Sequence, residues 1–91
     1  MSLADLSMAG AAEAGGVVGV VLILIAYAGA QIGRLEATGA PALLLNLVGA
    51  ALVLVSLAYS FNLAAFIMES AWALVAIYGL AKLARKRRSP R

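Results

Sequence analysis

Three long apolar segments, separated by short polar stretches, dominate the hydrophobicity pattern of this 91-residue chain. They cover residues 14–32, 41–59 and 63–83. Each has roughly the 20 residues that an α-helix needs to cross the ~30 Å hydrocarbon core of a bilayer. The pattern therefore predicts an all-α, transmembrane three-helix bundle, with an N-terminal segment at residues 1–13 and a basic tail at residues 84–91.

Residue types at the ends of the segments support these boundaries. Pro41 suits the first turn of the second helix, where its missing N–H would be unpaired in any case. Asn62 is typical of the residue that caps a helix N-terminus, because its side chain can accept a hydrogen bond from a backbone N–H. The loop between the second and third helices is therefore predicted to have two or three residues, and residues 33–40 form the other loop.

Composition excludes a soluble domain and most enzyme classes. Apolar residues make up 65% of the chain and charged residues 12%, against about 45–50% and about 25% in soluble proteins. A soluble domain this small could not bury so much apolar surface. The chain has no cysteine and no histidine, so it lacks the usual metal ligands and the commonest general base. We expect no enzymatic activity, no cofactor and no metal.

The positions of the basic residues predict how the helices are oriented. Lysine and arginine favour the cytoplasmic side of a membrane. Arg34 lies in the first loop and the other six basic residues lie at the C-terminus, so three crossings place them all on one side. We predict an N-out, C-in protein of the bacterial inner (plasma) membrane.

The basic tail is also expected to bind the headgroups of anionic phospholipids, because each basic residue at such a surface adds about 1 kcal/mol of attraction. A nucleic-acid partner is not expected, since the basic run is short and has no interleaved aromatic residues. The residues expected at the headgroups are Lys82, Arg85, Lys86, Arg87 and Arg88.

Ala28-Gly29-Ala30, after an apolar core, also fits a signal-peptidase site. A signal peptide begins with a basic region, however, whereas the residues before this core include Asp5 and Glu13 and no lysine or arginine. We therefore expect the first helix to be retained.

Small residues spaced four apart predict where the helices pack. In lipid, helices associate through close van der Waals contact, which small residues allow. Packing within one chain and packing between copies both fit this pattern, and we expect a homo-oligomer or a larger membrane complex. The residues expected at helix contacts are Gly15, Gly19, Gly29, Gly33, Gly49 and Gly79.

Glu69 is the only acidic residue inside any of the three apolar segments. A carboxylate at that depth costs ~2.5 kcal/mol or more, so it has either a function or a partner. Matching depth along antiparallel helices makes Ser56 its predicted polar neighbour and places Trp72 one turn deeper. Three interpretations remain open. Glu69 is a structural acid that is hydrogen-bonded or reaches outward toward the membrane interface, a carboxyl group in a wet cavity that carries protons or contacts substrate, or a contact for a docked partner.

A second polar level lies ~15 Å from Glu69 along the membrane normal. This inner level contains Asn46, with Tyr27 and Tyr78 at the same depth. The Asn46 amide either bonds across helices, at ~0.6–2 kcal/mol, or contacts a ligand. The candidate path for a substrate or proton therefore consists of Glu69, Trp72, Ser56, Asn46, Tyr27 and Tyr78.

Three short motifs carry a family resemblance. Ala26-Tyr27, the Leu-Asn-x-x-Gly-Ala pattern at residues 45–50 and the Trp-x-x-x-Ala-x-Tyr-Gly-Leu pattern at residues 72–80 stand in the successive helices. The chain is similar in these motifs to a family of small bacterial membrane proteins of unknown function. The resemblance covers residues 15–83 and implies a membrane location.

The helix count, the N-out topology and the Glu69 and Trp72 side chains also resemble the bacterial half-transporters of the sugar-transporter class, which dimerise around a central pocket. The chain departs from that class because its first helix has no Pro-Gln pair. Two functions are open. One is an oligomeric, transporter-like role for a small solute or proton. The other is a non-catalytic accessory or assembly subunit packed against a larger membrane complex.

Overall fold

The computed structural model describes residues 3–88 and contains three α-helices. They are α1 (Leu3–Gln31), α2 (Ala40–Leu57) and α3 (Leu63–Arg88). All three are long and apolar enough to cross a membrane, so the all-α fold with three helices of spanning length is confirmed. The end of the predicted basic tail, including Arg91, lies outside the described residues.

Two helices are longer than the hydrophobicity pattern predicts. Helix α1 begins at Leu3 rather than at residue 14, because the segment before the apolar run is rich in alanine, the best helix former. Helix α3 continues to Arg88, because lysine, arginine, alanine and leucine all favour a helix. The described part of the basic tail therefore forms the last turns of α3.

The loop between α2 and α3 is longer than predicted. It covers residues 58–62, five residues rather than two or three, because α2 already ends at Leu57. The Ala58 N–H donates to the Val55 carbonyl oxygen at 3.1 Å, a bond that spans three residues rather than four. Such bonds tighten the last turn of a helix and satisfy carbonyl groups that would lack a partner.

Both predicted helix starts are confirmed. The Ala65 N–H donates a hydrogen bond to Asn62 Oδ1 at 2.9 Å, which is the geometry of a side-chain N-cap. Pro41 lies in the first turn of α2, directly after Gly39 and Ala40. Both signals are local, so they could be read from the sequence without knowing how the helices pack.

Gly33 ends α1 and does not pack against another helix, which corrects the prediction. Its φ is +79°, a left-handed conformation that glycine adopts at little cost. The Gly33 N–H donates to the Ala30 carbonyl at 3.2 Å and the Arg34 N–H donates to the Gly29 carbonyl at 2.9 Å. These two bonds define a Schellman motif, so the role of Gly33 is to reverse the chain.

Helix α2 lies in the middle of a row of three helices. It packs against both α1 and α3, whereas within residues 3–88 α1 and α3 do not pack against each other. The molecule is elongated, 59 × 26 × 22 Å. We call the end that holds residues 32–39 and 82–88 the basic end, and the opposite end, with residues 7–13 and 58–62, the turn end.

Candidate functional site

The backbones of α1 and α2 approach closely at two glycines. A methyl group added to Gly19 would lie 2.5 Å from the Gly49 carbonyl oxygen, and one added to Gly49 would lie 2.6 Å from the Gly19 carbonyl oxygen. Both distances are far shorter than a van der Waals contact. The two carbonyl oxygens belong to helix backbone, which cannot relieve the clash by rotating as a side chain would. Only glycine fits at this crossing, as expected of small residues at helix contacts in lipid.

The row of α1 residues that contact α2 differs from the predicted one at Gly15. A methyl group there would meet nothing within 4 Å, whereas one at Gly16 would lie 2.7 Å from Ser56 Oγ. Gly16, Gly19 and Ile23 all face α2. This row has a spacing of three and four residues, and Gly15 lies about 100° around the helix from Gly16.

Gly79 and Gly29 lie in different surroundings. A methyl group at Gly79 would lie 3.0 Å from a side-chain carbon of Leu43 on α2, so Gly79 belongs to the α2–α3 interface. At Gly29, a methyl group would lie 2.6 Å from the Leu35 side chain. Because Leu35 belongs to the loop that follows α1, Gly29 makes room for the chain reversal rather than for another helix.

Glu69 is buried in the interface between α3 and α2. It is 5% exposed, and Ala76, two turns further on the same face of α3, is 2% exposed. Because α3 packs only against α2 within the described residues, this buried face must be directed at α2. Glu69 Oε1 has no hydrogen-bond partner. The hydrogen bond from Ser56 that depth matching suggested is therefore not formed with this oxygen.

Ser56 lies instead beside a polar cavity of ≈ 450 Å³ at the turn end. The cavity lies between α1 and the end of α2, and Glu69 does not line it. It brings Ser56 near Glu13, a pairing that the sequence reasoning missed because Glu13 was placed outside the first helix. The residues that line this polar cavity are Ala9, Gly10, Glu13, Ser56, Tyr59 and Ser60.

A second cavity of ≈ 390 Å³, which we call the α2–α3 groove, opens at the basic end. Asn46 and Trp72 both line it, although depth alone assigned them to separate levels. Trp72 is 43% exposed and lies three residues after the buried Glu69. Three residues turn a helix by about 300°, so Trp72 lies about 60° around α3 from Glu69, on the side of the helix that borders the groove.

The two tyrosines of the predicted inner level are also separated. Tyr78 lines the α2–α3 groove. Tyr27, on α1, is 62% exposed and lines neither cavity. The six residues of the predicted path therefore lie in four places: the groove, the polar cavity, the buried α2–α3 interface and the outer surface of α1.

The basic residues of α3 fall into two groups. Lys82 and Lys86, one helical turn apart, line the mouth of the α2–α3 groove. Arg85 and Arg87 are exposed and do not line it. Among the described residues, no three histidine, cysteine, aspartate or glutamate side chains lie together in a way that could hold a metal ion.

A model of an uncharacterised protein family matches residues 12–88, which include most of α1 and all of α2 and α3. No curated protein matches the chain. No solved structure matches it. The resemblance to half-transporters of the sugar-transporter class is therefore not supported by these comparisons and stays a prediction.

Proposed function

The chain belongs to this uncharacterised family, and we propose that it is a non-catalytic accessory subunit that assembles with other membrane-embedded helices. The observation that carries the proposal is the open row of helices, in which α1 and α3 each pack against α2 alone. The outward face of α3 has no partner among the described residues: Ile67 and Leu74 are 59% and 67% exposed and line neither cavity. A row of this kind offers two outer helices to a partner.

The positions of the cavities support an accessory role rather than a path through one copy of the chain. The α2–α3 groove and the polar cavity lie at opposite ends of the molecule and between different elements. Glu69, buried in the α2–α3 interface, lines neither of them. A solute that entered either cavity would therefore not meet the buried carboxyl group of Glu69.

Crosslinking in living cells tests the assembly. We expect a photo-crosslinking amino acid at Leu74 on α3, or at Val17 on α1, to give a discrete adduct with a different membrane polypeptide, because both side chains point away from α2 (67% and 59% exposed). Adducts are resolved by gel and identified by mass spectrometry. The same amino acid at Leu57 on α2, where a large side chain is already present and only 9% exposed, is the control and should give no adduct between chains.

The identity of the crosslinked species also distinguishes a subunit of a larger membrane complex from a homo-oligomer. Adducts only with lipid would contradict an accessory subunit. An adduct of twice the mass of the chain would identify a homo-oligomer, and the partner would then be a second copy.

A transporter-like role between copies is the second candidate, and the burial of Glu69 favours it. An acid with an unpaired oxygen in a spanning helix is costly, and such residues often mark ion or substrate pathways. In this arrangement, two copies would enclose a path for a small solute or proton along α3. Glu69 would reach that path only after its side chain left the α2–α3 interface.

We also propose that the basic end faces the cytoplasm, in the inner (plasma) membrane. The support is that Arg34 and the basic turns of α3 lie at this end, whereas Glu13 lies at the turn end. The chain has no cysteine, so Ser60→Cys and Ala37→Cys each introduce a single thiol. A membrane-impermeant maleimide added to intact spheroplasts is expected to label Ser60→Cys and to leave Ala37→Cys unlabelled until lysis. The reverse result would contradict the orientation.

A further inference from the structure

The α2–α3 groove has the depth of one leaflet of a bilayer. It extends from Lys82 at its mouth to Trp72 at its deepest point on α3, with Leu43 and Val75 among its walls. Ten residues of helix correspond to about 15 Å, which is half of the ~30 Å hydrocarbon core. The groove therefore matches the length over which one acyl chain extends from the membrane surface to the bilayer centre.

The mouth of the groove is positively charged. Lys82 and Lys86 line it on α3, and Thr38 in the loop after α1 adds a hydroxyl group. Glu36, in the same loop, does not line the groove, and no carboxylate is among the residues that do. Ammonium groups at this position would be well placed to bind a phosphate, since Lys is a common phosphate ligand.

We propose that the α2–α3 groove binds one molecule of an anionic phospholipid. The phosphate lies between Lys82 and Lys86, and one acyl chain follows the apolar walls down to Trp72. The groove has a cationic mouth and apolar walls. An anionic phospholipid is an abundant membrane molecule whose phosphate complements the mouth and whose acyl chains complement the walls. The inference is independent of the accessory role and of the orientation, because it requires only that the basic end lies at a membrane surface.

Two other occupants fit less well. A small polar solute would leave the apolar walls at Leu43 and Val75 without a complementary surface. An apolar helix from another polypeptide would fill the depth of the groove but would leave the two ammonium groups at the mouth without an anion. Both lysines are exposed at the mouth, where each gains about 1 kcal/mol from anionic headgroups and an apolar helix would add nothing, so the lysines favour a ligand that carries negative charge.

Trp72 provides a direct test, because it is the only tryptophan in the chain and lines the groove. The protein is reconstituted into vesicles of unlabelled phosphatidylcholine with small amounts of chain-brominated phosphatidylglycerol or chain-brominated phosphatidylcholine. Bromine quenches tryptophan fluorescence at short range. We expect brominated phosphatidylglycerol to occupy the site in preference to brominated phosphatidylcholine by about 5- to 30-fold, the equivalent of about 1–2 kcal/mol for two lysines.

A matched pair of variants separates a specific site from general attraction. The double variant Lys82→Gln/Lys86→Gln removes two charges at the mouth, and Arg85→Gln/Arg87→Gln removes two charges that lie outside the groove. Circular dichroism verifies that each variant keeps its helices. We expect the lysine variant to lose the preference for phosphatidylglycerol and the arginine variant to keep most of it. Excess unbrominated phosphatidylglycerol should restore the fluorescence of the native protein.

Three results would overturn the proposal. The first is equal quenching of the native protein by the two brominated lipids. The second is an equal loss of preference in the lysine and arginine variants, which would indicate attraction to the surface as a whole. The third is a folded lysine variant that keeps the full preference.

Discussion

Replacing Gly19 with leucine is expected to separate α1 from α2 and to lower the stability of the helix pair by about 3 kcal/mol or more, at the upper end of the range for overpacked cores. Even a methyl group at this position would lie 2.5 Å from the Gly49 carbonyl oxygen and 2.9 Å from the Leu52 Cβ. Because backbone atoms cannot rotate away, the helices would have to move apart. The change is measured in detergent micelles, by titration with dodecyl sulfate followed by circular dichroism and by susceptibility to limited proteolysis.

Gly15→Leu is the matched control. It makes the same substitution on the same helix, four residues earlier, where a methyl group meets nothing within 4 Å. We expect its unfolding midpoint to stay close to that of the native protein. If Gly15→Leu and Gly19→Leu were equally destabilising, the loss would come from the added bulk rather than from the crossing of α1 and α2.

Replacing Glu69 with methionine is expected to stabilise the protein by about 1–3 kcal/mol, which is the range for the penalty of a buried polar group without a partner. Glu69 is 5% exposed and its Oε1 makes no hydrogen bond. Methionine has a similar length and no branch, so it fits the same space without a polar group. Trp72, one turn away on α3, reports the unfolding of the α2–α3 pair through its fluorescence.

Glu13→Met serves as the comparison, because Glu13 is exposed and lines the polar cavity at the turn end. We expect little change in the unfolding midpoint of that variant. A loss of stability in Glu69→Met would mean that the carboxyl group makes an interaction that stabilises the interface. Proton flux in liposomes adds a second measurement: flux in the native protein that disappears in Glu69→Met and Glu69→Gln would favour the transporter-like candidate over the accessory subunit.

The three helices and the starts of α2 and α3 could be predicted because the signals for them are local. Apolar segments of spanning length predicted three helices, and the residue types of Asn62 and Pro41 predicted where α3 and α2 begin; the structure confirms both starts. The N-terminal extension of α1 was missed because an alanine-rich segment interrupted by Asp5, Ser7 and Glu13 has helix propensity but no long apolar run. Hydrophobicity shows which residues can lie in lipid, and it does not limit the helix to them.

The candidate site was harder to predict because it depends on rotation about the helix axes as well as on depth. Counting residues from the helix ends grouped Glu69 with Trp72 and separated both from Asn46. In the structure Glu69 faces α2, whereas Trp72 and Asn46 line the same groove. Likewise, spacing marked Gly15 and Gly19 as one face, yet only Gly19 meets α2. Nothing in a single sequence states which side of a uniformly apolar helix meets its neighbour.

The central position of α2 also bears on how the chain folds as it is synthesised. Among the described residues, the helices that pack together are always consecutive in the chain, α1 with α2 and α2 with α3. Contacts between neighbouring segments require the closure of short loops only, which favours rapid folding. The α1–α2 hairpin can therefore form while α3 is still being made, and α3 then adds to a surface that is already in place.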